Sequence, residues 1–432
     1  MRLISFKAFV AGGTLLAAFS AAGAAVAEVV TLVTPLAFGT HVPGLGTPAR
    51  ELAKLLKERS DGTLQLDLKE PGDGTAPYEI LDKVSDGKVD AGYATAGYWA
   101  AKLPAASLFG GFPFGPNAKE YMDWFNRGHG RALYQEMYDQ AKIEVHVIPC
   151  AFGGAEAGGW FAKEIGSKDD LDGLRMRIFG LGARVMMRLG VVPVLVPGSQ
   201  IAKAFEGGEI GAAEAYTPAV DRANGLQDAV KTLYQPGWNQ PATVFELLIN
   251  QDRWAALGPE HQSLIESACG EMLQRTLAES AVLQAAVLTA FANEDGVEIL
   301  GFPDDVQAAL REAWREIARE EGVRDYLFKE VLEDIETFRS GGEAKDEDVK
   351  DAEAKTEEPM PPPPPPRVTP RRWVREPKCR TGPVVLCGSF SARALIECKR
   401  MLPIAPRKCD EGSASFILMA FWAAWSLLAC PL

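Results

Sequence analysis

Between residues 28 and 340 the apolar positions fall into short runs separated by longer amphipathic stretches. Val29 to Pro35 reads as a strand, and Pro48 to Arg59, with Leu52, Leu55 and Leu56 at helical spacing, reads as a helix with one buried face. Leu64 to Leu68 alternates as a strand does, Tyr78 to Ser85 reads as a helix closed by Asp86-Gly87, and Val89 to Ala94 returns as a strand. This alternation predicts an α/β architecture with a largely parallel sheet. The stretch AKAFEGGEIGAAEAYT, Ala202 to Thr217, repeats the helix, glycine stop and strand of LDKVSDGKVDAGYAT, Leu81 to Thr95. Such a repeat fits either ordinary βαβ grammar or two similarly built lobes, and two lobes would leave a cleft, the usual home of a small-molecule site.

Two longer helical patterns follow. Glu260 to Asn293, after Gly258-Pro259, runs without an internal proline, and a second begins at Pro303-Asp304-Asp305 with Val306, Leu310, Ala313 and Ile317 on one face. They are expected either to brace the lobes or to pair with a second subunit. The stretch LRMRIFGLGARVMMRLGVVPVLVP, Leu174 to Pro197, reads as a strand, a glycine turn and a helix from Ala183 to Leu189 capped by Gly190. Alternation puts Met176 and Ile178 on one face of that strand and Arg175 and Arg177 on the other. A guanidinium near the carboxyl end of such a strand stands where open α/β sheets bind ligands.

The two ends of the chain differ from the body. Arg2 and Lys7 precede an uncharged apolar run, and Ala25-Val26-Ala27 forms a small-x-small cleavage site, so residues 1–27 read as a secretory signal peptide and the mature protein as exported. Residues 28–340 carry 29 Lys+Arg against 46 Asp+Glu, which argues against nucleic acid as a partner, because the basic stripe that binds phosphate is missing. Residues 341–366 hold an acidic run and PMPPPPPP, the composition of a linker. Residues 367–432 form a basic, cysteine-rich tail with an apolar end. That end is just long enough for an anchor, yet Lys399, Arg400, Arg407 and Lys408 would flank it on the exported side, so an extension foreign to the fold is the favoured reading. Cys150 and Cys269 are the only cysteines of the body and leave open a disulfide or two unrelated thiols.

Catalytic patterns are wanting. His41, His129, His146 and His261 lack metal-ligand spacing, and no G-x-S-x-G or H-E-x-x-H occurs. Gly180-Leu181-Gly182 begins like a dinucleotide fingerprint, but Val185 stands at the third glycine position, which leaves a dehydrogenase little support. Two carboxylates draw attention instead. Glu156 lies in GGAEAGGWF and Glu214 ends IGAAEAY, with a solvated surface acid as the less favoured alternative for each.

Several stretches in order carry a resemblance: PYEILDKVSDGKVDAGYATAGYWAAKLPAASLFGGFPFG, EAGGWFAKEI, DLDGLRMRIFGLGARVMMRLGVVPVLVP, AEAYTPAVDRANGLQD and YQPGWNQPATVFELLIN. Together they resemble the solute-binding proteins of tripartite ATP-independent periplasmic (TRAP) transporters, in the branch for 2-oxo acids and lactate, over roughly residues 30–340. The resemblance implies a two-lobed periplasmic binding fold with a hinged cleft and no enzymatic activity. The expected task is capture of a small 2-oxo or 2-hydroxy monocarboxylate for a membrane permease, and a homodimer is left open. A membrane-tethered sensory protein on the same fold is the alternative.

The same resemblance implies roles for single residues. Arg177 would grip the ligand carboxylate, and its planar fork suits that task. The Glu214 carboxylate, the Ala215 carbonyl and Glu156 would hold a cation, and Tyr98, Phe152, Trp160 and Trp238, which fall in the matching motifs, read equally as pocket wall or as core. Relatives carry Trp where this chain has Ala215 and Gln where it has Glu156. The extra carboxylate raises the local excess of negative charge, counting the ligand, from one to two, so calcium is expected over sodium.

Overall fold

The computed structural model describes residues 29–341, so the expected signal peptide at 1–27 and nearly all of the linker and tail lie outside the described residues. The strands are β1 (Val30–Pro35), β2 (Leu64–Lys69), β3 (Ala91–Ala94), β4 (Val145–Gly153), β5 (Gly159–Phe161), β6 (Arg175–Arg177), β7 (Val192–Val194), β8 (Ala212–Ala213), β9 (Thr232–Tyr234), β10 (Thr243–Asn250) and β11 (Glu298–Leu300). In the first lobe β1 pairs in parallel with β2, a bridge from Leu36 to Tyr93 ties β1 to β3, and β10 lies between β3 and β4. In the second the order is β11-β9-β5-β8-β6-β7.

The sheets are mixed, which corrects the expectation of a largely parallel arrangement. β10 is antiparallel to both of its neighbours, and so is β5. The reason lies in the connections. The chain leaves the first lobe at the end of β4 and returns after β9, so β5 and β10 run away from the crossings while the adjacent strands run toward them.

Packing follows the sequence pattern closely elsewhere. Helix Thr47–Arg59 buries Leu52 and Leu56, and Leu32, Leu64 and Ile148 join them in the first core. The long apolar pattern forms one helix, Pro259–Asn293, with proline in the first turn where its missing N–H goes unused. Its 35 residues span about 52 Å at 1.5 Å per residue. Ile265, Cys269 and Met272 pack in the first lobe, whereas Phe291 packs with Trp160 and Leu233 in the second. Cys150 and Cys269 form a disulfide that fastens β4 to this helix.

A second tie joins the lobes. Helix Asp304–Arg324 buries Val306, Leu310, Ala313 and Ile317, packs on helix Gly180–Arg188, and receives ion pairs from Arg184 to Glu320 and Glu321. The next helix, Tyr326–Arg339, packs in the first lobe, where Trp124 Nε1 donates to Asp334 Oδ1 at 2.5 Å. The long helices therefore brace both lobes.

Candidate functional site

β6 has only three residues, and its register sets the site. Arg177 stands opposite Ala213 of β8 and Val194 of β7, at the end of the strand. Arg175 is exposed and donates through Nε to the Glu209 carbonyl at 2.8 Å. Arg177, by contrast, is only 6 % exposed. Its Nη1 donates to the Glu214 carbonyl at 2.6 Å and to Glu214 Oε2 at 3.0 Å. The guanidinium carbon lies 4.8 Å from the centre of the Phe179 ring and 5.8 Å from that of Tyr216, so two aromatic faces border the cation. The helix expected from Ala183 starts earlier, at Gly180, which places the paired glycines in a first turn and not in a nucleotide loop.

Glu214 follows β8, where its N–H donates to the Arg177 carbonyl at 2.9 Å, and it is 2 % exposed. Glu156 sits on the crossing from β4 to β5, and its N–H donates to the Gln240 carbonyl of the return crossing at 3.1 Å. Gly237 is required at this meeting point, because a Cβ there would lie 1.9 Å from the Glu156 carbonyl oxygen. Burial pushes the Glu156 carboxyl well above the usual range; Glu214 and Asp221 push it further, against the pull of Arg177. Its Oε2 is buried without any hydrogen-bond partner.

Asp221, at the start of helix Pro218–Ala223, was not singled out by the sequence. Its Oδ2 accepts from Trp160 Nε1 at 2.8 Å and its Oδ1 from the Tyr216 N–H at 3.0 Å. Burial raises its carboxyl to about 7, against the lowering effect of those two hydrogen bonds. The only hint in the sequence is an acid in the first turn of a helix, which is too common to act on.

The expected aromatic wall divides. Tyr98, on the turn Ala96–Trp99 of the first lobe, reaches the site: burial holds its hydroxyl above the ordinary tyrosine range, with Tyr216 pushing the same way and Arg177 opposing. Its ring lies 4.8 Å from Tyr78 and 5.7 Å from Phe38. Phe152 and Trp160 are buried in the apolar cores, and the Ala215 side chain packs beside Trp160. Trp238 leans on Phe114 and lines a separate cavity of about 240 Å³ with Arg311 and Arg339.

Among the described residues no group of three or more His, Cys, Asp and Glu side chains is arranged to hold a metal. Glu156 and Glu214 supply two carboxylate side chains, and the third oxygen expected is the backbone carbonyl of Ala215. An orphaned, buried carboxylate oxygen beside a second carboxylate, which Arg177 pairs from its own side, fits a hard cation bound by oxygen.

Comparison with known proteins agrees with this arrangement. Residues 44–324 match the model of the bacterial extracellular solute-binding proteins, family 7. A monocarboxylate 2-oxoacid-binding periplasmic protein of Nostoc sp. is 33 % identical over 310 residues, 72 % of this chain and 83 % of its own. A TRAP solute-binding protein of Bordetella bronchiseptica, described as a mixed occupancy dimer with calcium and picolinate bound, is 28 % identical with a TM-score of 0.68, over 76 % of this chain and 98 % of its own. One of Pseudoalteromonas atlantica, with sodium and pyruvate bound, is 28 % identical with a TM-score of 0.67, over 77 % of this chain and all of its own, 100 %.

The chain belongs to family 7 of the bacterial extracellular solute-binding proteins. It is a solute-binding protein of the TRAP type, on the two-lobed fold that the sequence motifs implied. No helix among the described residues is long and apolar enough to cross a membrane.

Proposed function

We propose that this protein captures a small 2-oxo or 2-hydroxy monocarboxylate, of the size of pyruvate or lactate, in the periplasm and delivers it to a TRAP membrane permease. The observation that carries the reading is Arg177. It is a buried guanidinium whose Nη1 is engaged by Glu214, while Nη2 makes no hydrogen bond to any described residue. Nε donates to the Val196 carbonyl at 3.4 Å, so a ligand carboxylate takes up the remaining Nη2 group by charge-assisted hydrogen bonds.

Glu156, Glu214 and the Ala215 carbonyl would hold the cation. A bound cation would supply the positive charge that offsets the excess carboxylate charge there. Calcium suits two carboxylates better than sodium does, because unpaired charge away from water is costly. Calcium and sodium with small 2-oxo or aromatic acids in the Bordetella and Pseudoalteromonas relatives support this choice of ligand and of cation class.

Tyr98 closes the pocket from the first lobe, and hinge motion at the crossings carrying Glu156 and Gly237 completes it. The permease then meets the closed form. Pairing through the long helix into a homodimer belongs to the same reading, supported by the dimer of the Bordetella relative.

Titration calorimetry of the full chain with pyruvate and lactate, with and without calcium, tests the proposal. Micromolar binding that needs calcium and vanishes in Arg177→Met is expected. Equal binding by the variant would overturn the reading.

A further inference from the structure

Asn239 lies on the return crossing between β9 and β10 and is 6 % exposed. Its amide forms no hydrogen bond with any described residue, and its oxygen and nitrogen keep some access to water, which leaves both open to a ligand. The amide is pressed on the first turn of helix Gly180–Arg188. A Cβ added at Gly182 would lie 2.2 Å from Oδ1, 2.7 Å from Cγ and 3.0 Å from Nδ2.

That first turn is itself unsatisfied. Phe179 stands at the N-cap, with no side-chain cap, and the first turn-closing bond runs from the Ala183 N–H to the Phe179 carbonyl at 3.2 Å. The N–H groups of Gly180, Leu181 and Gly182 therefore point out of the helix without a described acceptor. Only two residues separate Arg177 from Gly180, and the Phe179 ring between them borders the guanidinium.

We propose that Asn239 and the first turn at Gly180–Gly182 form a subsite that reads a hydroxyl group on the carbon chain of the acid held by Arg177. This rests on the carboxylate-binding reading above. An amide offers a donor and an acceptor side by side, and a hydroxyl answers both, accepting from an N–H and donating to Oδ1. A methyl group, as in lactate, answers neither. A second carboxylate would set its lone pairs against Oδ1. The favoured ligands are thus hydroxylated short acids, with 2,3-dihydroxypropanoate preferred over lactate.

Calorimetry of the full chain in calcium, with 2,3-dihydroxypropanoate and lactate as probes, tests the subsite. The native protein should bind the dihydroxy acid about tenfold more tightly, the effect of one to two hydrogen bonds. Asn239→Leu should bring it down to the affinity of lactate and leave lactate unchanged. Gly182→Ala, whose new methyl displaces the amide, should do the same without altering Asn239. Equal affinity for the two acids in the native protein, or an equal loss of both in Asn239→Leu with the fold intact by circular dichroism, would overturn the subsite. Binding of neither acid by the native protein would instead overturn the carboxylate-binding reading, and the subsite with it.

Discussion

Glu246 in the first lobe and Glu156 beside the second are both carboxylates taken out of water, and their surroundings are opposite. Glu246, on β10, accepts from Trp99 Nε1 at 2.7 Å, Tyr134 Oη at 2.5 Å and Tyr138 Oη at 2.8 Å. Burial still raises its carboxyl to about 7, against those three hydrogen bonds, but no second charge adds to the rise. Glu156 leaves an oxygen without a donor and lies near Glu214 and Asp221, with the Arg177 cation as their counterweight. The first arrangement is complete as it stands and locks a strand to a helix and a turn. The second is complete only when something positive, or a proton, is added. Burial of an acid therefore does not mark a binding site; incomplete compensation does.

The contrast is sharpest when Arg177 is removed. Arg177→Met should lower ligand affinity on the order of a hundredfold or more, because truncating one member of a buried charged pair leaves the other uncompensated; calorimetry measures it. Glu246→Ala should leave affinity in the surviving folded protein unchanged but cost about 3 kcal/mol or more of stability, since three buried donors lose their acceptor. Urea unfolding reads that loss, and a variant as stable as the native protein would erase the distinction between the two acids.

Glu156→Gln tests the other side. Without metal it should gain about 1–2 kcal/mol of stability at neutral pH, because the native carboxyl has to take up a proton to be buried there, and its ligand binding should become supportable by sodium. Continued dependence on calcium would refute the charge count.

The smallest effect concerns pH. Burial lifts the Glu246 carboxyl from about 4.5 to about 7, so between those values the folded state holds more protons than the unfolded chain. Stability of the metal-free protein should fall as pH rises from about 4.5 to about 7, with Asp221 and Glu156 contributing in the same direction. Glu246→Gln should flatten the slope measured in urea at pH 5 and pH 8.

Much of the site was legible because its signals are local. The alternation of Arg175, Met176 and Arg177 is a strand read directly, and the uninterrupted apolar pattern from Glu260 to Asn293 could form little else than a long helix. What the sequence hides is pairing at a distance. Asp221 meets Trp160 across 61 residues, and the partners of Glu246 lie 108 to 147 residues away. Glu246 did leave a trace, since an acid in the wholly buried strand TVFELLIN must find donors somewhere. The direction of β5 and β10 depends on where the chain changes lobes, which no periodicity records. The disulfide stayed open for the same reason, until β4 and the long helix were seen side by side. Trp160 and Phe152 look like a pocket wall and are core, because large apolar rings carry no mark of which cavity they face.

The helix Pro259–Asn293 has a mechanical corollary. It is gripped near one end by the covalent link at Cys269 and near the other by the ring of Phe291 inside the opposite body. A rod held in this way neither stretches nor shortens, so the two bodies cannot approach along its axis. They can still turn toward each other about the crossings, with the rod as a strut of fixed length between them.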